Sequence, residues 1–521
     1  MAVVATPAGQ GARAHPGKWV VAASVLSGSM MASIDTSVVT VSLPHIQAAY
    51  GVTTHEVAWV TTSYLITLVI TMPLTAWVSS VLGRKRMFLA AITIFAGASL
   101  LCGLSRTLGE LVAFRVLQGL GGGALQPTAQ AIMRETFPVE EQAQAMAFYG
   151  MIVLLGPAVG PTLGGWITEA QSWPWIFFVN VPVGIAGLLL GAQFITDPPY
   201  MRARGLRRLD AVGIALMAIG LGAMQVVLEQ GEQDGWFQSD VIVTLSLLSA
   251  LALAGFIVWE LRTAEPAVNL RILRNVSFAA GTLIGGLVSL TRFGSLVLLP
   301  LFLQNVLGYS PIRSGVTVMP RALTMVLVMP AAGALYNRVG VYVMLLVGIG
   351  LSALSCFQMA RFNLASGPAQ LLLPQVIQGL GSAFVFVSLT TTSLSTIPRR
   401  LMQSATGINS LLRQLGSSLG TAIAITLVDH RTTTASAHLI RYASLSNATF
   451  VRWWATYEAT FLRHGSAPGV AHWQALSWLE RVLDQQAAVV GYDYAFGVIG
   501  LVSLLCLPLL VFLRRGNAAN G

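Results

Sequence analysis

Apolar runs of about 20 residues recur along the whole chain, separated mostly by short gaps that carry arginine. An α-helix needs about 20 apolar residues to cross the hydrocarbon core of a bilayer. Inside lipid every backbone polar group must bond within its own segment, which leaves helices for runs of this length. Such spans are expected near 20–42, 57–78, 87–105, 110–133, 146–168, 175–196, 210–229, 240–260, 277–303, 314–336, 340–360, 368–391, 403–428 and 491–512, fourteen in all. The fold class expected is an all-α polytopic membrane protein.

Composition excludes the soluble alternatives. Of 521 residues, 55% are hydrophobic and 10% are charged, whereas soluble proteins carry about 25% charged residues. The net charge of +10 does not imply nucleic acid, because the arginines sit in gaps between apolar runs instead of on one basic surface. Cys102, Cys356 and Cys506 each lie inside an apolar run without metal-ligand spacing, and read as small packing residues. The first run, from Lys18 through Ile34, lacks a clear cleavage site and is followed at once by Asp35, so it is expected to stay as a helix.

Orientation follows from the short loops. Arg84, Lys85 and Arg86, then Arg202, Arg204, Arg207 and Arg208, then Arg271 and Arg274, then Arg399 and Arg400, and finally Arg514 and Arg515 all fall on one side. Glu229, Glu232, Asp234 and Asp240 fall on the other. The positive-inside rule then gives cytoplasmic N- and C-termini in a multi-pass inner-membrane protein. Residues 430–490 are expected as an external loop despite Arg431, Arg441, Arg452, Arg463 and Arg481, because long loops weigh little in that rule. Its stretches 450–464 and 472–486 are amphipathic, with Trp453, Trp454, Trp473 and Trp478 suited to the membrane surface or to a partner protein.

The two halves echo each other. LSRTLGELVAFRVLQGLGGGALQP at 104–127 is answered by LLLPQVIQGLGSAFVFVSLT at 371–390, and WVSSVLGRKR at 77–86 by ALYNRVGVYV at 334–343. Six spans, an extra pair and six more account for fourteen. The divisions expected are a cytoplasmic tail 1–17, a bundle 18–200, a linker and extra hairpin 201–270, a second bundle 271–513 and a tail 514–521. Internal repeats of this kind mark secondary transporters with a central site exposed alternately to each side. No Walker loop, nucleophile–base set or metal cluster appears, so neither an ATPase nor an enzyme is expected, and no cofactor.

Specific motifs carry a family resemblance. SIDTSVVTVSLPHI at 33–46, FRVLQGLGGGALQP at 114–127, GPAVGPTLGGW at 156–166, WPWIFFVNVPVG at 173–184, the segment 209–236 and NSLLRQLGSSLGTA at 409–422 occur in the order and spacing of one branch. The chain resembles the fourteen-helix drug:proton antiporters of the major facilitator superfamily, the EmrB/QacA type. The resemblance implies a major facilitator fold with 6+2+6 helices and proton-coupled efflux of amphipathic toxic compounds. It also implies work beside a periplasmic adaptor and an outer-membrane channel. The loop after the second span departs from the family pattern: Ala76, Ser80 and Val81 replace its Gly, Asp and Arg, while Gly83, Arg84 and Lys85 remain. Gln375 stands where the repeat of Arg115 falls.

Within this frame Asp35 is the expected proton carrier, since a carboxylate in an apolar helix is costly and usually functional; the alternative is a capping or packing Asp beside Ser33 and Thr36. In this reading a cationic cargo competes with the proton for the negative site. For Arg115 the resemblance implies help in proton transfer or a hold on an acidic partner, which the sequence does not name; the alternative is a tether between helices. Thr36, Gln118, Arg292 and Arg413 are candidates for the substrate pathway. Arg292 lies too deep in its span to snorkel and disfavours cationic cargo, or else serves packing. Gly83, Arg84, Gly156, Pro157, Gly160, Pro161, Gly164 and Gly165 are expected in gating and close helix packing. Other readings are a dedicated exporter of one metabolite, siderophore, antibiotic or lipid, and a non-transporting scaffold or sensor.

Overall fold

The computed structural model describes residues 17–197, 210–444 and 446–513, apart from the side chains of Ala158 and Pro161. The N-terminal tail, Arg202, Arg204, Arg207, Arg208, Arg514 and Arg515 lie outside the described residues. The helices in order are α1 Lys18–Tyr50, α2 Thr54–Leu82, α3 Arg84–Leu104, α4 Leu108–Thr136, α5 Gln142–Ala170, α6 Trp175–Phe178, α7 Asn180–Phe194, α8 Ala211–Gln230 and α9 Asp240–Arg262. They continue with α10 Val276–Leu301, α11 Pro311–Val339, α12 Val341–Met359, α13 Pro368–Ser393, α14 Met402–Leu439, α15 Ala448–Arg463 and α16 Pro468–Leu504.

Eleven of the described spans are long and apolar enough to cross a membrane, twelve if the two arms of α5, bent by 47° between Pro157 and Thr162, make one span. This is fewer than the fourteen expected. The first and fourth expected spans do form helices of 33 and 29 residues. Their polar content, including Asp35 in α1 and Arg115, Gln118 and Arg134 in α4, lowers their mean hydropathy below that of a plain span. The outer surface is apolar, with Leu251 74% and Leu327 76% exposed, which is what a lipid-facing wall requires.

The expected loop 430–490 is largely helical. α14 runs past the expected end at 428 to Leu439, α15 takes the first amphipathic stretch, and α16 runs from Pro468 through the second stretch into the last span without a break. Asn447 caps α15 through its side chain, and Pro468 at the start of α16 has no amide hydrogen to lose. Amphipathic periodicity therefore extends helices where a polar composition had suggested a loop.

The repeat is visible in the backbone. The shift that carries Thr54 onto Pro311 carries Leu82 onto Val339 and Pro73 onto Pro330, so α2 and α11 have the same 29-residue length and the same proline position. It also carries Gly83 onto Gly340. These turns share one shape, φ 84° and ψ 160° against φ 89° and ψ 159°, a region open chiefly to glycine.

Small residues set the helix crossings. A Cβ on Gly156 would sit 2.5 Å from the Ser33 backbone, and one on Gly160 2.3 Å from Ser37 Cβ, so α5 lies directly on α1. On Gly416 it would sit 2.2 Å from the Gly286 carbonyl oxygen, and on Gly420 2.1 Å from that of Leu290, which does the same for α14 and α10. In lipid, where apolar surface gains little from burial against another helix, close backbone packing of this kind holds helices together.

Side-chain hydrogen bonds between the two groups of helices, α1–α7 and α10–α16, gather at one end. Arg134 Nη1 donates to Thr391 O at 2.9 Å, Asn337 Nδ2 to Glu140 O at 3.0 Å, and Gln403 Nε2 to Thr128 Oγ1 at 3.0 Å. This is the end that carries the Gly83 turn and Arg399. The pair α8–α9 leans on both groups: Gln225 Nε2 donates to Ser418 Oγ at 2.8 Å, while Gly222 faces Ile66 and Ile70 of α2.

Candidate coupling site

Four helices bring polar side chains to one point inside the first group. α1 supplies Asp35, α4 supplies Arg115 and Gln118, α3 supplies Ser99, and α7 supplies Asn180. Arg115 Nη1 lies 2.5 Å from Asp35 Oδ2, and both side chains are 0% exposed. Gln118 Nε2 donates to Asp35 Oδ1 at 2.9 Å and Asn180 Nδ2 to the same oxygen at 3.2 Å. The carboxylate therefore has three donors, and the pair sums to zero charge in an apolar interior.

Arg115 is held from several sides. Its Nε donates to Val60 O at 3.0 Å, its Nη1 also reaches Gln118 Oε1 at 2.7 Å, and its guanidinium lies 4.1 Å from the centre of the Tyr64 ring. Of its nitrogens, Nη2 has no acceptor. Arg115 and Gln118 share a face of α4 because they stand three residues apart. Asn180 is in turn fixed by Ser99 Oγ at 3.1 Å, and that hydroxyl donates to Phe177 O at 2.9 Å. Loss of the charge on either partner would leave the other without its counter-charge in an apolar interior.

The sequence singled out Asp35 and Arg115 for proton coupling without naming the partner of Arg115, and Gln118 for the substrate pathway; the structure brings all three together. Asn180, Ser99 and Tyr64 were missed. Asn180 had a signal, a lone amide in the apolar run WIFFVNVPVG. Thr36 turns its hydroxyl back to Ala32 O within α1. The buried carboxylate offers no open face to a cationic cargo, since Arg115 already occupies it.

The remaining candidates lie elsewhere. Arg84 is buried and pairs with Glu135, while Lys85 N donates to Asp197 Oδ1 at 2.9 Å beside Gly83. These acids come from α4 and from the chain after α7, in a loop that has lost its own Asp. Gly164 faces Val38 of α1, but Gly165 has open space around it and takes no part in that contact. Pro157 and Pro161 fall at the bend of α5; the side chain of Pro161 lies outside the described residues. Arg292 and Arg413 lie in the second group, half-buried, with Arg413 5.7 Å from the centre of the Phe386 ring. A further buried arginine, Arg321, went unnoticed in the sequence.

Comparison with known proteins gives this arrangement a family. The chain is 30% identical over 495 residues to the multidrug export protein EmrB of Escherichia coli (strain K12), covering 95% of this chain and 94% of that one. It is 32% identical over 523 residues to the tetracenomycin C resistance and export protein of Streptomyces glaucescens, covering 99% and 94%. It is 30% identical over 483 residues to the fatty acid resistance protein FarB of Neisseria gonorrhoeae, covering 92% and 93%. Among solved structures, the human organic anion transporter MFSD10 (TETRAN) superposes with a TM-score of 0.64 at 15% identity, covering 95% of this chain and 100% of that one, and so shares the fold. The Major Facilitator Superfamily profile matches residues 25–421, and the chain belongs to that superfamily of membrane transporters.

Proposed function

We propose that this chain is a proton-coupled exporter of amphipathic toxic compounds, with fourteen spans as 6+2+6 and both termini cytoplasmic in an inner membrane. The observation that carries the proposal is the Asp35–Arg115 pair, fully buried among Gln118 and Asn180. The relatives named as export and resistance proteins support the direction and the cargo class. α1 and α4 count as spans in this reading because their polar residues meet each other instead of lipid.

The coupling works through charge. A proton on Asp35 cancels the carboxylate and leaves Arg115 buried and uncompensated, a state costing several kcal/mol. The first bundle relieves that cost by moving Arg115 toward water or cargo, which favours the opposite-facing state. A proton entering down a potential of about 100 mV carries about 2.3 kcal/mol. With a cytoplasmic N-terminus, the joined end is the cytoplasmic one, so the bundles face outward. Gly156, Gly160 and the bend at Pro157–Pro161 serve as the sliding contact, and Gly83 and Arg84 brace the closed end. The exposed aromatic face of α15 and early α16, with Trp453 and Trp473, is the proposed seat of a periplasmic adaptor that leads to an outer-membrane channel.

The test is efflux from proteoliposomes under an imposed pH gradient. Wild type should move amphipathic dyes against their gradient and acidify or alkalinise the lumen in step, and Asp35→Asn should do neither. Gradient-driven dye movement in Asp35→Asn equal to wild type, with the same linked pH change, would remove Asp35 from coupling. A wild type that moves one compound class alone would make this a dedicated exporter.

A further inference from the structure

The pair α8–α9 is one rigid unit. Ser249 Oγ of α9 donates to Gly220 O of α8 at 2.9 Å, and Trp259 Nε1 donates to Asp210 Oδ1, at the start of α8, at 2.8 Å. A Cβ on Gly220 would sit 2.8 Å from the Leu253 side chain, so the two helices touch closely between those bonds. This unit lies over one of two equivalent seams between the bundles. The repeat lays α2 on α11, and the shift that carries Gln118 onto Gln378 carries Gln142, first in α5, onto Met402, first in α14. The α2–α14 seam and the α11–α5 seam are therefore copies of each other. α8 packs on both α2 and α14. Ile66 and Ile70 of α2 lie beneath it, 3.6 Å and 3.9 Å from where a Cβ on Gly222 would stand. The repeat carries these two residues onto Leu323 and Leu327 of α11, which are 48% and 76% exposed. At this level one seam is covered and its copy is bare.

The cover holds its two neighbours by different chemistry. Toward the second bundle its contacts are polar. Buried Gln225 donates to Ser418 Oγ of α14 at 2.8 Å. At the turn after α8, Trp236 Nε1 donates to Thr426 Oγ1 of α14 at 3.0 Å, and the Thr426 hydroxyl donates to the Glu232 carboxylate. At the opposite end the chain leaving α9 runs directly into α10 and folds back on α9 as it goes. Val268 N donates to Glu260 Oε1 at 3.2 Å, and Arg271 Nη2 donates to Leu261 O at 3.1 Å and Thr263 O at 3.0 Å. Ala267, Val268 and Ile272 of this link are buried, and Asn275 at its end caps α10. Toward the first bundle, among the described residues, no hydrogen bond or ion pair joins α8–α9 to α1–α7. A polar bond broken in hydrocarbon leaves its groups without water to replace it. An apolar helix contact gains little over contact with lipid and fixes no register, so it can slip.

We propose that α8–α9 is a cover carried by the second bundle: bonded to α14 and linked to α10, it slides over α2 as the bundles rock and keeps the α2–α14 seam covered. The proposal rests on the rocking of two bundles in the export reading and adds to it the bundle with which the extra pair moves. The sliding face is the one that Gly222 presents to Ile66 and Ile70, where no polar bond has to break.

The experiment measures distances in the full chain in phosphatidylcholine nanodiscs, with Cys102, Cys356 and Cys506 replaced by alanine. Nitroxide labels are placed pairwise on cysteines at Val241 of α9, Ile312 of α11 and Leu104 of α3, three exposed positions at the same end of the molecule. Double electron–electron resonance is recorded in acid and in alkaline buffer, with and without ethidium. The Ile312–Leu104 distance, which reports the bundles, should shift between conditions, and Val241–Leu104 should shift with it. Val241–Ile312 should keep one mean distance throughout. A constant Val241–Leu104 with a shifting Val241–Ile312 overturns the proposal and gives the cover to the first bundle. Independent shifts of both also overturn it. A second measurement links cysteines with a reducible bis-methanethiosulfonate reagent and follows dye efflux from proteoliposomes. The Gln225→Cys, Ser418→Cys link should leave efflux intact, and the Ile66→Cys, Gly222→Cys link should stop it until reduced. Efflux lost on the first link, or kept on the second, overturns the sliding contact. The distances need neither a gradient nor net transport, so a failure of proton coupling leaves them unaffected.

Discussion

Removing the charge from Asp35 should destabilise the protein through Arg115, and removing both charges should restore most of the loss. Both side chains are fully buried and their charged atoms lie 2.5 Å apart. Breaking a buried pair by deleting one partner costs about 3–5 kcal/mol, because the other charge stays behind. Asp35→Asn leaves the guanidinium with the Val60 carbonyl and the Gln118 amide oxygen. Arg115→Gln leaves the carboxylate with the Gln118 and Asn180 amides. The double variant has no orphan charge and loses only hydrogen bonds, about 1–3 kcal/mol. The double-mutant cycle should therefore show a coupling of at least about 2 kcal/mol, against about 0.6 kcal/mol for an ordinary hydrogen bond between membrane helices. The assay is equilibrium unfolding of each variant in mixed micelles, followed by helical circular dichroism. Additivity within about 0.5 kcal/mol would refute the pair as a neutralising unit and leave Arg115 a simple tether.

Gly160→Ala should cost about 1–3 kcal/mol by overpacking, since its Cβ would meet Ser37 Cβ at 2.3 Å, and Ser37→Gly in the same chain should recover part of it. Gly165→Ala, with nothing within 4 Å, should be neutral or stabilising by up to about 1 kcal/mol through helix propensity; the same unfolding assay reads both. Cysteines at Glu140 and Asn337, whose residues touch at 3.0 Å, should cross-link in the bundle-joined state and stop transport, with activity regained on reduction. Thr53→Ala removes a capping box at the start of α2 and should cost about 1 kcal/mol.

What the sequence revealed and what it hid follow from where each residue's partner lies. Helices and their order were legible because length and apolarity are local properties. The region 430–490 was legible only in part: its amphipathic stretches showed in their periodicity, but the extension of α14 to Leu439 and the unbroken run of α16 into the last span did not, because polar residues at a helix end look like a loop. Asp35 announced itself as a charge in an apolar run, and Arg115 and Gln118 shared a helix face by spacing alone. Asn180 required knowing that α7 packs on α1, which no spacing within one helix can say. Arg84 is the sharper case: its loop has lost the customary acid, yet Glu135 and Asp197 bring carboxylates from distant parts of the chain to the same turn. The missing acid was a change of address for the charge. Arg292 and Arg321 show the converse, since their positions gain meaning only when the second bundle is laid over the first. A buried arginine read alone suggests packing or pathway equally. Read against Asp35 at the repeated position, it marks where the second bundle carries a guanidinium in place of the first bundle's acid.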